Sequence, residues 1–354
     1  MTYSARRVNL CRQLASRELD ALLVTDLVNV RYLCGFTGSN AALLVFADDD
    51  ARTALATDAR YATQAAHQAA GVLLEIERAC GPPLARLAGD AGVKRLGFES
   101  NVVTVDGYDQ LARAAGDVQL MRAPGIVEEL REVKDDGEKA LLRLACEAAD
   151  AALADLIERG GLRPGRTERG VARDLEALML DHGADGVSFE TIVATGANSA
   201  IPHHRPTDAA LATGDFVKID FGALIAGYHS DMTRTFVLGQ AAQWQLELYE
   251  LVSAAQRAGR EALAAGKACS EVDAAARTVI ADAGYAENFG HGLGHGVGLQ
   301  IHEAPGISAA STATLRAGCT VTVEPGVYLP DRGGVRIEDT LIVGEKTPEL
   351  LTRF

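Results

Sequence analysis

The sequence predicts an α+β protein of two domains, a smaller α/β domain followed by a larger one built on two β-hairpins. Three features predict it. Strand-like and helical segments alternate through about 120 residues at the start of the chain. Ala123-Pro124-Gly125 and a charged stretch at 131–137 interrupt that alternation. Beyond them lie two stretches whose apolar and polar residues alternate at period two and turn back on themselves. The boundary falls near residue 128, giving domains 1–128 and 129–354.

In the first domain, residues 4–18 have helical spacing, and strand signals follow at 21–24, 42–46, 53–57, 72–76, 95–98 and 118–121. The Gly35-x-x-Gly38 loop lacks the G-x-G-x-x-G spacing of a dinucleotide-binding turn, so no nucleotide is expected there. In the second domain a helix is expected from 138 to about 159, closed by Gly160-Gly161. Thr167 can cap the next, through Leu180. Two more follow the first hairpin, one at 243–265 and one opened by the capping-box variant Ser270-Glu271-Val272-Asp273 and reaching Ala283.

Composition excludes several classes. The 354 residues can bury a substantial core. A net charge of −14 with no basic run argues against nucleic acid, which needs clustered Lys and Arg. Cys11, Cys34, Cys80, Cys146, Cys269 and Cys319 are scattered without a C-x-x-C and read as reduced packing residues. The N-terminus leads into an amphipathic helix, not an apolar signal segment, and no apolar run approaches the ~20 residues that span a bilayer. No membrane partner and a cytoplasmic location are expected.

The two hairpins carry the chemistry. In the first, Asp220 lies on the outgoing arm and Asp231 on the return. A turn centred between Ile225 and Ala226 would set them directly opposite, with Cβ atoms roughly 4.5–5.5 Å apart. Two carboxylates that close repel unless something positive lies between them, and a divalent ion meets that need. The second hairpin repeats the pattern: Gly214 precedes Asp220 by six positions, and Gly318 precedes Glu324 by six. Asp220-Phe221-Gly222 parallels Glu324-Pro325-Gly326, and a turn centred on Asp331 sets Glu324 opposite Glu338. The chain thus reads as an internal repeat, two hairpins facing one another across a shared site.

Six of the eight histidines, His203, His204, His229, His291, His295 and His302, fall between positions 203 and 302. The run His291-Gly292-Leu293-Gly294-His295-Gly296-Val297-Gly298 flanks His295 with glycines, which permit close backbone approach. Four carboxylates balance two divalent ions, and Mn²⁺, Co²⁺ and Zn²⁺ accept mixed carboxylate and imidazole ligands. Water held between two such ions becomes hydroxide near neutral pH. Arg336 shares a strand face with Glu338. It either neutralises the acids or holds a substrate carboxylate or a bridging ligand, and spacing leaves both open.

Together these strings resemble the pita-bread (creatinase-fold, M24) metallopeptidases, the group of methionine aminopeptidase, aminopeptidase P and prolidase. The carriers are Val217-Lys218-Ile219-Asp220-Phe221-Gly222, Ser230-Asp231-Met232-Thr233-Arg234-Thr235, the 291–298 run, Val323-Glu324-Pro325-Gly326 and Gly334-Val335-Arg336-Ile337-Glu338-Asp339. Leu19-Asp20-Ala21-Leu22-Leu23-Val24, Asn29-Val30-Arg31-Tyr32-Leu33 and Gly35-Phe36-Thr37-Gly38-Ser39-Asn40 are similar to the creatinase-like domain that proline-specific members carry first. Nearly the whole chain is covered, and small bacterial PepQ-type peptidases are nearest in pattern.

The resemblance implies a C-terminal pita-bread (creatinase/aminopeptidase) fold and a dinuclear site. Asp220 would chelate one metal, Asp231 and Glu338 would bridge, and His295 and Glu324 would bind the other. Glu324 would also carry a proton from water to the leaving nitrogen. His302 would steady the tetrahedral intermediate, His203 would contact substrate and assist catalysis, and His291 and Arg336 would contact substrate. The doublet His203-His204 leaves open which ring faces it. The implied reaction is hydrolysis of the bond between an N-terminal residue and proline by an Xaa-Pro dipeptidase (prolidase), with Xaa-Pro aminopeptidase action on longer peptides as the alternative. A creatinase-like hydrolase or an inactive binding module fits less well, because all five ligand positions are intact. Two Mn²⁺ ions (Co²⁺ or Zn²⁺ as alternatives), a proline-containing di- or oligopeptide substrate and a homodimer complete the expectation.

Overall fold

A computed structural model describes residues 2–354 as two compact units, one ending at Arg131 and one beginning at Glu132. The first unit is a six-stranded mixed sheet formed by β1 (Ala21–Val24), β2 (Ala41–Phe46), β3 (Ala54–Thr57), β4 (Leu73–Ile76), β5 (Arg95–Phe98) and β6 (Gln119–Arg122). Its order is β4-β3-β2-β1-β5-β6. β1 and β2 are buried along their whole length, so they read as unbroken apolar runs rather than alternating ones. Helices α1 (Tyr3–Ser16), α2 (Leu27–Cys34), α3 (Ala62–Gln68), α4 (Gly81–Asp90) and α5 (Val105–Ala115) complete it. Gly35 ends α2 in the left-handed conformation (φ +82), so this glycine stops a helix and does not cradle a phosphate.

Helix α6 (Ile126–Glu132) spans the boundary. In the second unit α7 (Asp136–Glu158) opens with a capping box between Asp135 and Glu138. Thr167 caps α8 (Glu168–Asp181) through Gly170 N. Short strands β7 (Gly186–Val187) and β8 (Ile192–Thr195) lead to the first hairpin, β9 (Phe216–Phe221), β10 (Ala223–Ile225), β11 (Tyr228–His229) and β12 (Met232–Val237). Leu153, Leu175, Val217, Ile219, Phe221 and Met232 form the core between it and α7 and α8.

α9 (Gln243–Ala262) and α10 (Cys269–Asp282) follow. The expected box at Ser270 does not form. Ala268 precedes the first turn without a side-chain cap, and Cys269 N is already bonded to Ala313 O, so the helix starts before Ser270 can cap it. Next come β13 (Gly294–Gly296), β14 (Glu303–Ile307), β15 (Thr320–Val323), β16 (Gly326–Leu329), β17 (Gly333–Arg336), β18 (Asp339–Ile342) and β19 (Glu349–Leu350). β15 to β18 form the second hairpin, backed by α9 and α10 through Val252, Ala276, Val321, Val323 and Leu341.

The second hairpin keeps the expected register. Val327 faces Val335 and Val323 faces Asp339, with the turn centred on Asp331 (φ +60). The first does not. It turns at Ala226-Gly227, both left-handed (φ +47 and +79), one residue later than expected, so Asp220 pairs with Thr233 and not with Asp231. A two-residue turn of this kind matches strand twist, which is why it displaces the simpler centring. The repeat itself reaches the backbone: Gly214 and Gly318, six residues ahead of Asp220 and Glu324, hold φ of +91 and +89. All six cysteines are free thiols. Among the described residues no helix is long and apolar enough to cross a membrane.

Candidate metal centre

Strand alternation sorts the side chains. On β9, Val217, Ile219 and Phe221 enter the core, which sends Lys218 and Asp220 to the other face. On β15, Val321 and Val323 enter the core, and Thr322 and Glu324 share the opposite face. Asp231 stands just before β12, beside Gly222, where a β-carbon would lie 1.9 Å from Ser230 O. His295 is carried on β13. β-Carbons at Gly294 and Gly296 would lie 2.1 Å from Thr322 O and 2.2 Å from Ala304 O, so only glycine lets this strand close on its neighbours.

These elements bring Asp220, Asp231, His295, Glu324 and Glu338 to one cavity of about 290 Å³. His295 Nδ1–H donates to Gly296 O (3.0 Å), leaving Nε2 facing Glu324 Oε1 at 3.4 Å and Asp231 Oδ2 at 3.5 Å. Burial pushes this imidazole down to about 4, so at neutral pH a lone pair looks at two carboxylates. Ligand atoms of Asp231, His295 and Glu338 lie within 4.8 Å of one another. Asp220 Oδ2 accepts from Arg336 Nη2, while Asp220 Oδ1 is buried with no partner. Burial, then repulsion from neighbouring carboxylates, pushes Asp231 and Glu338 well above the usual range. Burial raises Glu324 to about 7, with Arg336 opposing and Asp220 adding to the rise. A lone pair facing carboxyl groups, an orphaned buried oxygen and clustered buried acids fit a divalent cation.

The surrounding groups hold this set. Glu338 Oε2 accepts from Thr233 Oγ1 (2.7 Å), and Glu324 Oε1 from Thr322 Oγ1 (3.2 Å). Arg336 is buried and engaged throughout: Nε donates to Thr233 Oγ1, Nη1 to Pro202 O and Tyr328 Oη, and Nη2 to Asp220. Of the two roles open from spacing, this geometry supports the neutralising one. His291 sits at 2.9 Å from Tyr328 Oη through Nε2 and at 2.8 Å from Gly292 O through Nδ1. Burial pushes it down to about 4.

His302 packs edge-on against His295, ring centroids 4.5 Å apart, and is lowered by burial and then by His203. His203, His295, His302, Glu324 and Arg336 line both the first cavity and a second of about 480 Å³ that His291 and Tyr328 also border. The histidine doublet divides. His204 is buried, borders only the first cavity and joins Glu168 Oε2 at 2.8 Å, whereas His203 is exposed and lines both. His229 bonds Ser188 and lines neither cavity.

Three residues escaped the sequence reading. Glu168 is a buried acceptor for Thr195 N, Asn198, His204 and Thr207. Although burial pushes its carboxyl up, these bonds hold it below the usual range. In sequence it is only the residue after a helix cap, with no signal of its own. Lys218 follows from period two, since it must share a face with Asp220, while Tyr328 lies on a strand that carries no candidate ligand.

The profile of metallopeptidase family M24 matches residues 140–345, and that of the creatinase/prolidase N-terminal domain matches residues 6–133. The chain belongs to metallopeptidase family M24, whose members are dinuclear metal-dependent enzymes, and has the pita-bread fold. It is 41% identical to the uncharacterized peptidase YqhT of Bacillus subtilis across 94% of each chain. The Xaa-Pro dipeptidase structure from Bacillus anthracis superposes with a TM-score of 0.94 at 38% identity, covering 99% of this chain and 98% of that one. An X-Pro aminopeptidase structure from Thermotoga maritima gives 0.87 at 33% identity, covering 95% and 96%.

Proposed function

We propose that this peptidase is an Xaa-Pro dipeptidase, cleaving the bond between an N-terminal residue and proline at a pair of divalent ions held by Asp220, Asp231, His295, Glu324 and Glu338. The observation that carries the site is the neutral His295 Nε2 facing Glu324 and Asp231 beside the unpartnered Asp220 Oδ1. The two ions would supply Lewis acidity and an acidified water.

The protein groups do the rest. Glu324, bordering the cavity beside His295, takes a proton from the attacking water on its carboxylate and delivers it to the prolyl nitrogen. That delivery matters because an X-Pro bond is a tertiary amide whose nitrogen has no hydrogen and must be protonated to leave. His302, neutral near pH 7, donates its ring N–H to the oxygen on which charge develops. His203, bordering both cavities, contacts the substrate, with His291 and Arg336 shaping the second cavity.

Proline specificity comes from likeness to the Bacillus anthracis enzyme. Likeness to the Thermotoga maritima aminopeptidase favours a second reading, release of the first residue from longer X-Pro peptides. The same reading takes the ions as Mn²⁺ and the protein as a cytoplasmic homodimer, checked by elemental analysis, fractionation and light scattering. The deciding experiment adds Mn²⁺ to chelator-stripped protein with Ala-Pro and with Ala-Pro-Ala. Cleavage of Ala-Pro alone supports the dipeptidase, cleavage of Ala-Pro-Ala the aminopeptidase, and cleavage of neither overturns both.

A further inference from the structure

Lys218 is fully buried on β9, two residues before Asp220 and on the same face, yet its amine meets main-chain carbonyls. Nζ donates to Ile201 O at 2.6 Å and to Pro202 O at 3.2 Å, and lies 5.1 Å from the centre of the Tyr328 ring. Arg336 Nη1 reaches the same Pro202 O at 3.2 Å. Lys218 and Arg336 thus converge on the main chain that immediately precedes His203.

His203 needs such support. Its side chain has no hydrogen-bond partner among the described residues, and it is exposed, yet it borders both cavities. Its place is set by the main chain that carries it. A buried amine is a costly way to stabilise a fold, because desolvation offsets much of what its hydrogen bonds contribute. An apolar side chain of similar length would serve packing on β9 at least as well. The carbonyls it holds belong to one segment, and that segment delivers one candidate substrate contact.

We propose that Lys218 is a positioning residue that fixes the Ile201-Pro202 main chain and thereby holds His203 against the substrate. The proposal rests on the X-Pro peptidase reading for what His203 does, and on geometry alone for what Lys218 does.

The test is a double-mutant cycle with Lys218→Met and His203→Ala, read beside hydrogen exchange of the 199–205 segment. Lys218→Met should lower kcat/KM for Ala-Pro by about tenfold, the worth of one or two hydrogen bonds. Added to His203→Ala it should cost nothing more, because the residue it positions is gone. Bound metal should be retained and the melting temperature unchanged or higher. Exchange in 199–205 should quicken while β9 and β12 stay protected. Losses that multiply in the double variant, or unaltered exchange in 199–205, would overturn the proposal. If the unmodified protein cleaves no X-Pro substrate, the functional reading fails, and the exchange experiment still decides for or against Lys218.

Discussion

Arg336 holds one oxygen of Asp220 and leaves the other without a partner. A bidentate pair would have used both oxygens and closed the site. Here the guanidinium's other donors go to Thr233, Tyr328 and Pro202. Asp220 is therefore aimed and partly neutralised while keeping one oxygen for a cation.

Arg336→Gln should accordingly weaken metal binding by about 10–100-fold, the usual cost of losing an outer partner of a ligand. Arg336→Lys should fail to restore it, since an ammonium has no planar fork to span Asp220, Thr233 and Tyr328. Competition against a chromogenic chelator measures this. Wild-type affinity in both variants would remove Arg336 from the centre.

Asp231→Asn and Glu338→Gln should each cut metal-dependent hydrolysis by more than about 100-fold. Without metal the same variants should be no less stable than the parent, because each removes a buried acid that repels its neighbours. Elemental analysis and thermal unfolding read the two effects separately. Full activity in either variant would end the dinuclear assignment.

The buried acids should cost the metal-free protein stability as pH rises, against an opposite gain from His291 and His295, which burial lowers to about 4. Glu324 goes from 4.5 in its ordinary state to about 7 when folded, so the folded chain holds this proton more tightly than the unfolded one. The corresponding stability is complete below about 4.5 and is lost as pH climbs through about 7. Asp231 and Glu338, raised in the same direction, add to the loss. It should be on the order of a few kcal/mol and should largely vanish with Mn²⁺ present. A stability difference between the metal-free parent and Glu324→Gln that stays level or grows in the parent's favour across this window would contradict the buried-acid picture.

His302→Ala should lower kcat for Ala-Pro by about 10²–10³-fold, the range for losing one donor to a developing oxyanion, with a much smaller effect on KM. Steady-state kinetics on the metal-loaded variant decides it. An unchanged turnover number would take His302 off the catalytic list.

How much of this was legible beforehand depended on whether the signal was local. The second hairpin's register was readable, since Glu324 and Glu338 are symmetric about Asp331 and the loop holds that symmetry. The first was misread by one residue, because Ala226 takes a left-handed conformation that alanine does not advertise. The repeat of Gly214 and Gly318 was visible because glycine is the one residue whose letter announces its dihedral freedom. Glu168 was invisible. Its partners lie 27 to 39 positions away, and nothing in a helix's first residue predicts them. His203 and His204 could not be told apart until burial separated them.

The main chain at the two glutamates has a mechanical consequence. Glu338 N donates to Thr233 O in the first hairpin (3.1 Å), and Glu324 N to Leu293 O in the glycine-rich run (2.8 Å). The first bond ties Glu338 across the seam between the halves of the repeat, and the second ties Glu324 within its own α9–α10 half. A substitution that lets the α7–α8 half or the α9–α10 half drift as a body should strain the Glu338–Thr233 bond and shift Asp220 and Asp231 against Glu324 and Glu338. One that loosens only a hairpin tip will not. Distant core variants should therefore divide by which half they shift, however far they lie from the cavity.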